Sequence, residues 1–429
     1  MASNRVGPCA RKMIVLAATL TLRGGRRYTP ASTAVRRQGA MWVSKRDLLF
    51  HVLPRTRYGE LNLVTPEGTT HRFAGDHAGE RATMILKDWS AVDAILSRGD
   101  IGLGESYMAN LWETPDLQAL LTFCQRNRDE FARLTRFDLL NRLVSRATRL
   151  TTRNTFVGSK RNIAATYDYP PELYQSYTDR MMTYSSGWWD GREMSLDDAQ
   201  VNKYNRILSR IGPPPQHILE MGCGWGYFLK LAASRGYRIS GCTISQRQYD
   251  YARELNRREI ASGQVTVLLE DYRNVLGDYD SVVSTGFFEH VGSQYWVEHF
   301  RKVKQYLRPG GVAMIQTMLC NKFDPENGRT LNFFSKYIFP GGEFPSVGTF
   351  IVSAEEAGLK CEEQLAFGQD YARTMDEYWK RFHRNLNDVK KLGYDDEFIR
   401  KWEFFLAGWY AMFRSGRYNV MQAKLTHFP

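Results

Sequence analysis

A chain of 429 residues, 43% of them hydrophobic and 24% charged, is long enough for two domains with cores of their own. Its net charge of +12 is unevenly placed: residues 1–46 hold ten Arg or Lys and no acid, which leaves +2 on residues 47–429. The body of the chain is therefore nearly balanced, and bulk basicity gives no ground for a nucleic-acid partner. Six scattered cysteines without a C-x-x-C pair, and eight histidines without metal spacing, argue against a disulfide frame and a zinc site.

Residues 1–41 read as a basic, disordered segment, in keeping with a targeting leader, a tail for anionic membranes or a mis-assigned start ahead of Met41. The apolar run Met13 to Leu20 falls short of the roughly 20 residues a spanning helix needs. A cytoplasmic protein, at most peripherally bound to membrane, is expected. Residues 42–130 read as a small α+β domain of lipid-carrier type. Tyr58 to Val64 and Thr70 to Phe73 flank a Pro-Glu-Gly turn and predict a hairpin, with Met84 to Leu86 as a further strand. Helices are predicted over Ser90 to Arg98, capped by Ser90, and over Thr114 to Asn127, with Thr114 as cap and Pro115 at the first position. The glycine-rich stretch Ile101 to Trp112 between them could line a slot. Residues 131–165, rich in Arg, Thr and Asn, read as an exposed helix and linker to a domain over 166–429.

Ile218-Leu-Glu-Met-Gly-Cys-Gly-Trp-Gly226 is an apolar strand breaking into a glycine-rich loop and then a helix. Gly222, Gly224 and Gly226 suit the approach of a nucleoside to the backbone. The spacing is neither that of dinucleotide folds nor that of a phosphate loop. Further apolar runs over 237–243, 265–269, 280–284 and 311–316, with a helix from Ser245 to Arg258, predict a parallel sheet covered by helices. Ligands of such sheets bind at the carboxyl ends of the strands, where these motifs fall.

The glycine pattern resembles motif I of class I S-adenosylmethionine (SAM) methyltransferases, and from about residue 55 onward the chain resembles the cyclopropane-fatty-acyl-phospholipid synthase family. The segments that carry the likeness are Asn162-Ile-Ala-Ala-Thr-Tyr-Asp168, Met182-Thr-Tyr-Ser-Ser-Gly-Trp-Trp189, motif I, Thr243-Ile-Ser-Gln-Arg-Gln248, Asp271-Tyr-Arg273, Phe288-Glu-His-Val-Gly292, Lys336-Tyr-Ile-Phe-Pro-Gly-Gly342 and Phe367-Gly-Gln-Asp-Tyr371. Gly102-Leu-Gly-Glu-Ser-Tyr-Met108 resembles the front domain of the longer members, which include enzymes making methyl-branched fatty acids. The resemblance implies a Rossmann-like SAM-methyltransferase domain behind a smaller α+β domain. It implies unsaturated phospholipid acyl chains at a membrane surface as substrate, and leaves room for a homodimer.

It also implies roles. SAM would be held by Tyr184, Ser185, Glu220, Gly222, Gly224, Gly226, Thr243, Ser245, Gln248, Tyr272 and Arg273. In the reaction the alkene attacks the electrophilic methyl and leaves a cation on the acyl chain, so a dry site with π-faces is needed. Loss of a proton then gives a cyclopropane, or a methylene that can be reduced to a branch. The family implies a bound bicarbonate as base, held by a Glu (here Glu289), a Tyr (Tyr371), a His (at whose position stands Gln316) and backbone around a Cys (at whose position stands Ser186). Serine and glutamine still hydrogen-bond but do not titrate near neutrality. A further cysteine position of some relatives is Trp409. Two other readings are a methyltransferase for a sterol or prenyl olefin and a lipid-binding protein with a vestigial SAM fold; the intact glycines speak against the second.

Overall fold

The computed structural model describes residues 44–132, 154, 158, 162, 169–321 and 332–428. Most of the predicted 131–165 linker lies outside them. Residues from Ser44 onward form one compact unit that holds two sheets.

The front sheet has strands β1 (Tyr58–Val64), β2 (Thr70–Ala74), β3 (His77–Leu86) and β4 (Trp112–Glu113) in the order β2-β1-β3-β4. The predicted hairpin forms: β1 and β2 run antiparallel with Leu61 opposite Phe73, and Thr65 and Thr69 close the turn with a 2.8 Å backbone bond. Two predicted caps differ. Helix α1 (Ser90–Arg98) has Trp89 at its cap position, and the Asp88 carboxylate accepts from the Ser90 N–H. The stretch predicted to line a slot is instead helix α2 (Asp100–Met108), packed between α1 and the C-terminal part of the chain. Helix α3 (Leu117–Arg126) starts later than predicted because Asp116, not Thr114, accepts from the Ala119 N–H; an ionised side chain makes the stronger cap.

The main sheet comprises β5 (His217–Met221), β6 (Arg238–Thr243), β7 (Val265–Leu269), β8 (Tyr279–Thr285), β9 (Leu307–Cys320), β10 (Leu359–Ala366) and β11 (Tyr418–His427), in the order β10-β11-β9-β8-β5-β6-β7. The five strands predicted from apolar runs pair in parallel. The sheet is not wholly parallel, however, since β11 joins β9 and β10 joins β11 antiparallel. The chain runs outward from β5 through β6 to β7 and then returns to β8 on the other side of β5. That reversal opens a crevice at the strand ends, where ligands of open α/β sheets bind.

Seven further helices matter to the site: α4 (Leu196–Ile211), α5 (Tyr227–Ser234), α6 (Gln246–Leu255), α7 (Trp296–Tyr306), α8 (Val347–Glu356), α9 (Gly368–Arg384) and α10 (Asp396–Arg414). On α9 the buried Tyr371, Ala372, Met375, Tyr378 and Phe382 recur at helical spacing, and the helix packs on α10, with the Tyr371 ring centre 4.4 Å from that of Phe413. Helix α10 carries the front sheet's helices on another side: Tyr107 donates 2.9 Å to Glu403, and the Arg400 guanidinium lies 3.9 Å from the Tyr107 ring centre. Among the described residues no helix is long and apolar enough to cross a membrane.

Candidate active site

A cavity of about 130 Å³ opens at the carboxyl ends of β5, β6 and β8. Glu220, 2% exposed near the end of β5, borders it, and one of its carboxylate oxygens has no hydrogen-bond partner among the described residues. Burial pushes Glu220 up to about 8, against the pull of nearby Lys203. The three loop glycines all have left-handed backbones but do different work. A Cβ on Gly224 (φ +51°) would meet nothing within 4 Å among the described residues, and all three glycines border the cavity as predicted. A Cβ on Gly222 would strike the Phe287 ring, and one on Gly226 would strike Ala252 and Asn256. These two glycines let the protein pack against itself.

Around the rim, Thr243 donates to Gln248 at 2.8 Å, and both border the cavity. Ser245 does not border it, because its hydroxyl caps α6 by accepting from the Gln248 N–H at 3.3 Å. Asp271 holds Arg273 in place at 2.8 and 2.5 Å, and the Tyr272 ring stands edge-on to Phe287 with centres 5.2 Å apart. Tyr184 and Ser185 close the opposite wall. A carboxylate oxygen in want of a donor, an open backbone position and an aromatic slot together fit the amine, the close approach and the base of SAM.

A second, smaller cavity lies beyond. Met318, Phe339, Tyr371, Met375, Phe405 and Trp409 make it largely apolar, and Glu289 faces it. Tyr184, Gly286 and His290 border both cavities and so mark their junction. Glu289 is 1% exposed; one oxygen accepts from the Thr317 hydroxyl at 3.2 Å, and the other has no hydrogen-bond partner. Burial pushes its carboxyl up to about 7, near the working pH of a general base. The expected bicarbonate cradle is not assembled. Ser186 is buried and donates to its neighbour Gly187 O at 2.8 Å, while the Gln316 carbonyl accepts from Gln422 at 3.0 Å; neither borders the cavity. The residues do not fit that anion as predicted.

The sequence reading passed over the residues behind the Tyr184-Ser185 wall. Lys203, wholly buried on α4, donates 2.7 Å to the Ser185 hydroxyl and 2.7 Å to the Gln200 carbonyl. Gln200 donates in turn to Ser185 O at 2.8 Å. Apart from its place on the helix's inner face, a lysine there reads as an ordinary solvated charge, so no local signal reveals it.

This fold, with these groups at its strand ends, defines a class I SAM-dependent methyltransferase. Residues 157–423 match the family described as mycolic acid cyclopropane synthetase, and the chain belongs to that family. It is 33% identical over 375 residues to the tuberculostearic acid methyltransferase UfaA1 of Mycobacterium tuberculosis, covering 84% of this chain and 86% of that one. It is 31% identical over 352 residues to the cyclopropane-fatty-acyl-phospholipid synthase of Escherichia coli, covering 80% and 87%. Among solved structures, the mycolic acid cyclopropane synthase CmaA1 complexed with SAH and CTAB superposes with a TM-score of 0.58 at 26% identity, over 62% of this chain and 97% of that one.

Proposed function

We propose that this protein transfers a one-carbon unit from SAM to the double bond of an unsaturated fatty acyl chain of a phospholipid, met at a membrane surface. The observation that carries the reading is the buried Glu289 in the smaller cavity, beside Gly286 and His290 at the junction with the larger one, with one oxygen unpartnered among the described residues. When bound, SAM supplies an electrophilic methyl group. Glu220 accepts from its amine, and Gly224 lets it approach the backbone. Tyr371, Phe339 and Trp409 keep water away and offer π-faces to the cation that methyl transfer leaves on the acyl chain, an interaction worth about 2 kcal/mol when desolvated.

Glu289 then takes the proton directly. Removal from the transferred methyl closes a ring, and removal after a hydride shift leaves a methylene. Ser186 and Gln316 give no support to a bicarbonate intermediary, so no step is assigned to one. The test is incubation with SAM and mono-unsaturated phospholipid, followed by mass spectrometry of the acyl chains. A gain of one CH2 supports the reading, and fragmentation separates ring from branch; unchanged acyl chains with SAM bound would refute it. Bicarbonate added to depleted enzyme should leave the rate unaltered if Glu289 is itself the base.

A further inference from the structure

Lys203 is wholly buried in the middle of α4, yet it forms no ion pair among the described residues; the two groups it donates to are neutral. Burying an ammonium costs several kcal/mol, which the attraction of the buried Asp179 and Glu220 offsets only in part. The lysine's hydrogen bonds better explain its position. One ends on the Ser185 hydroxyl, in the strip 183–187, whose Thr183, Tyr184 and Ser185 line the larger cavity. The same strip is tied by Gln200 to Ser185 O at 2.8 Å, by the Tyr378 hydroxyl to Thr183 O at 2.6 Å, and by the Gly187 N–H to the Thr374 hydroxyl at 3.1 Å. Three of these four ties involve backbone atoms. Lys203 sets the Ser185 side chain in the cofactor wall, next to Tyr184, which borders both cavities.

We propose that Lys203 is a positioning residue for the cofactor, fixing the Ser185 side chain and with it the Tyr184 wall through which the methyl group must pass. The inference rests on the SAM reading of the larger cavity. The surroundings agree with it. Burial pushes the Lys203 ammonium down to about 7, while Asp179 and Glu220, the acids that act on it, pull it back up. A buried lysine near two buried acids is costly to keep, as suits a residue retained for function.

The test compares Lys203→Met, Ser185→Ala and the double variant with wild-type protein, by calorimetric SAM titration, thermal unfolding and turnover on mono-unsaturated phospholipid. Lys203→Met should weaken SAM binding by about tenfold or more, the worth of a hydrogen bond to a charged group. Its fold should persist in thermal unfolding but with a lowered midpoint, because Asp179 and Glu220 lose the cation that acts on them. The double variant should bind SAM no more weakly than the weaker single variant, since both substitutions break one contact. Unchanged SAM affinity in Lys203→Met, or fully additive losses in the double variant, would overturn the proposal. So would a collapse of folding in Lys203→Met, which would make the residue structural; Ser185→Ala, which leaves the lysine in place, then still reports whether the contact serves binding. Wild-type protein that takes up no SAM would overturn the cofactor reading itself, and that arm tells the two failures apart.

Discussion

The two cavities that meet at Tyr184, Gly286 and His290 are built in opposite ways. The larger is polar in its key contacts and is walled by loops that leave the ends of adjacent strands, so the sheet holds its shape before any ligand arrives. The smaller is walled by side chains from separate segments, among them Phe339, Met375 and Trp409, and at about 20 Å³ it has room for little more than one water. An acyl chain enters only if these side chains part. Unbranched methionines such as Met318 and Met375 can move at small cost. Charge recognition is preorganised here, whereas room for an apolar chain is held in reserve in the rotamers of its walls.

The largest expected effect separates chemistry from binding. Glu289→Gln keeps shape and loses the carboxylate, so turnover should fall roughly 10²–10⁴-fold while calorimetric SAM affinity stays the same. Near-normal turnover would remove Glu289 from the reaction. Next comes Gly224→Val, which fills space that no protein atom occupies and should abolish measurable SAM binding. Its left-handed backbone adds a cost of roughly 1–2 kcal/mol, visible in thermal unfolding. Gly226→Ala should show the reverse balance, losing more stability than its effect on the open cavity would suggest, because its Cβ meets Ala252.

On the apolar side, Phe339→Leu should change the lipid KM several-fold and leave SAM affinity alone, as suits a hydrophobic swap worth less than about 1.5 kcal/mol. A matching change in SAM affinity would mean that the two cavities are not separable. The smallest effect is on pH. Glu289 holds its proton below about 7 and cannot then accept another, so kcat/KM should fall on the acid side with a midpoint near that value. The linkage runs the other way: a carboxyl raised in the fold costs stability as pH climbs from its unfolded value toward 7. Glu289→Gln should therefore unfold with a weaker pH dependence across that window, and an unaltered profile would show that the carboxyl is not buried as described.

Much of the polar site could be read from the sequence, because each loop at a strand end is a contiguous stretch whose residue types state its chemistry. Glu220, Gly222, Gly224, Gly226, Thr243, Gln248, Tyr272 and Arg273 border the larger cavity and Glu289 the smaller, at the strand ends where the motifs and the resemblance put them. The parallel core strands were legible for the same reason, as short apolar runs between helical segments. What tertiary structure alone decided involves residues far apart in the chain. Gly222 and Gly226 serve Phe287 and Ala252, and Ser245 caps a helix. Ser186 and Gln316 turn away from the position that resemblance implied for them, and the glycine-rich front segment is a helix pressed on α10. The antiparallel strands β10 and β11 join only after the chain has passed through α9 and α10. Lys203 shows the reason most plainly: its type and spacing fit a solvated helix face, and only packing buries it against Ser185 and turns an ordinary charge into part of the site.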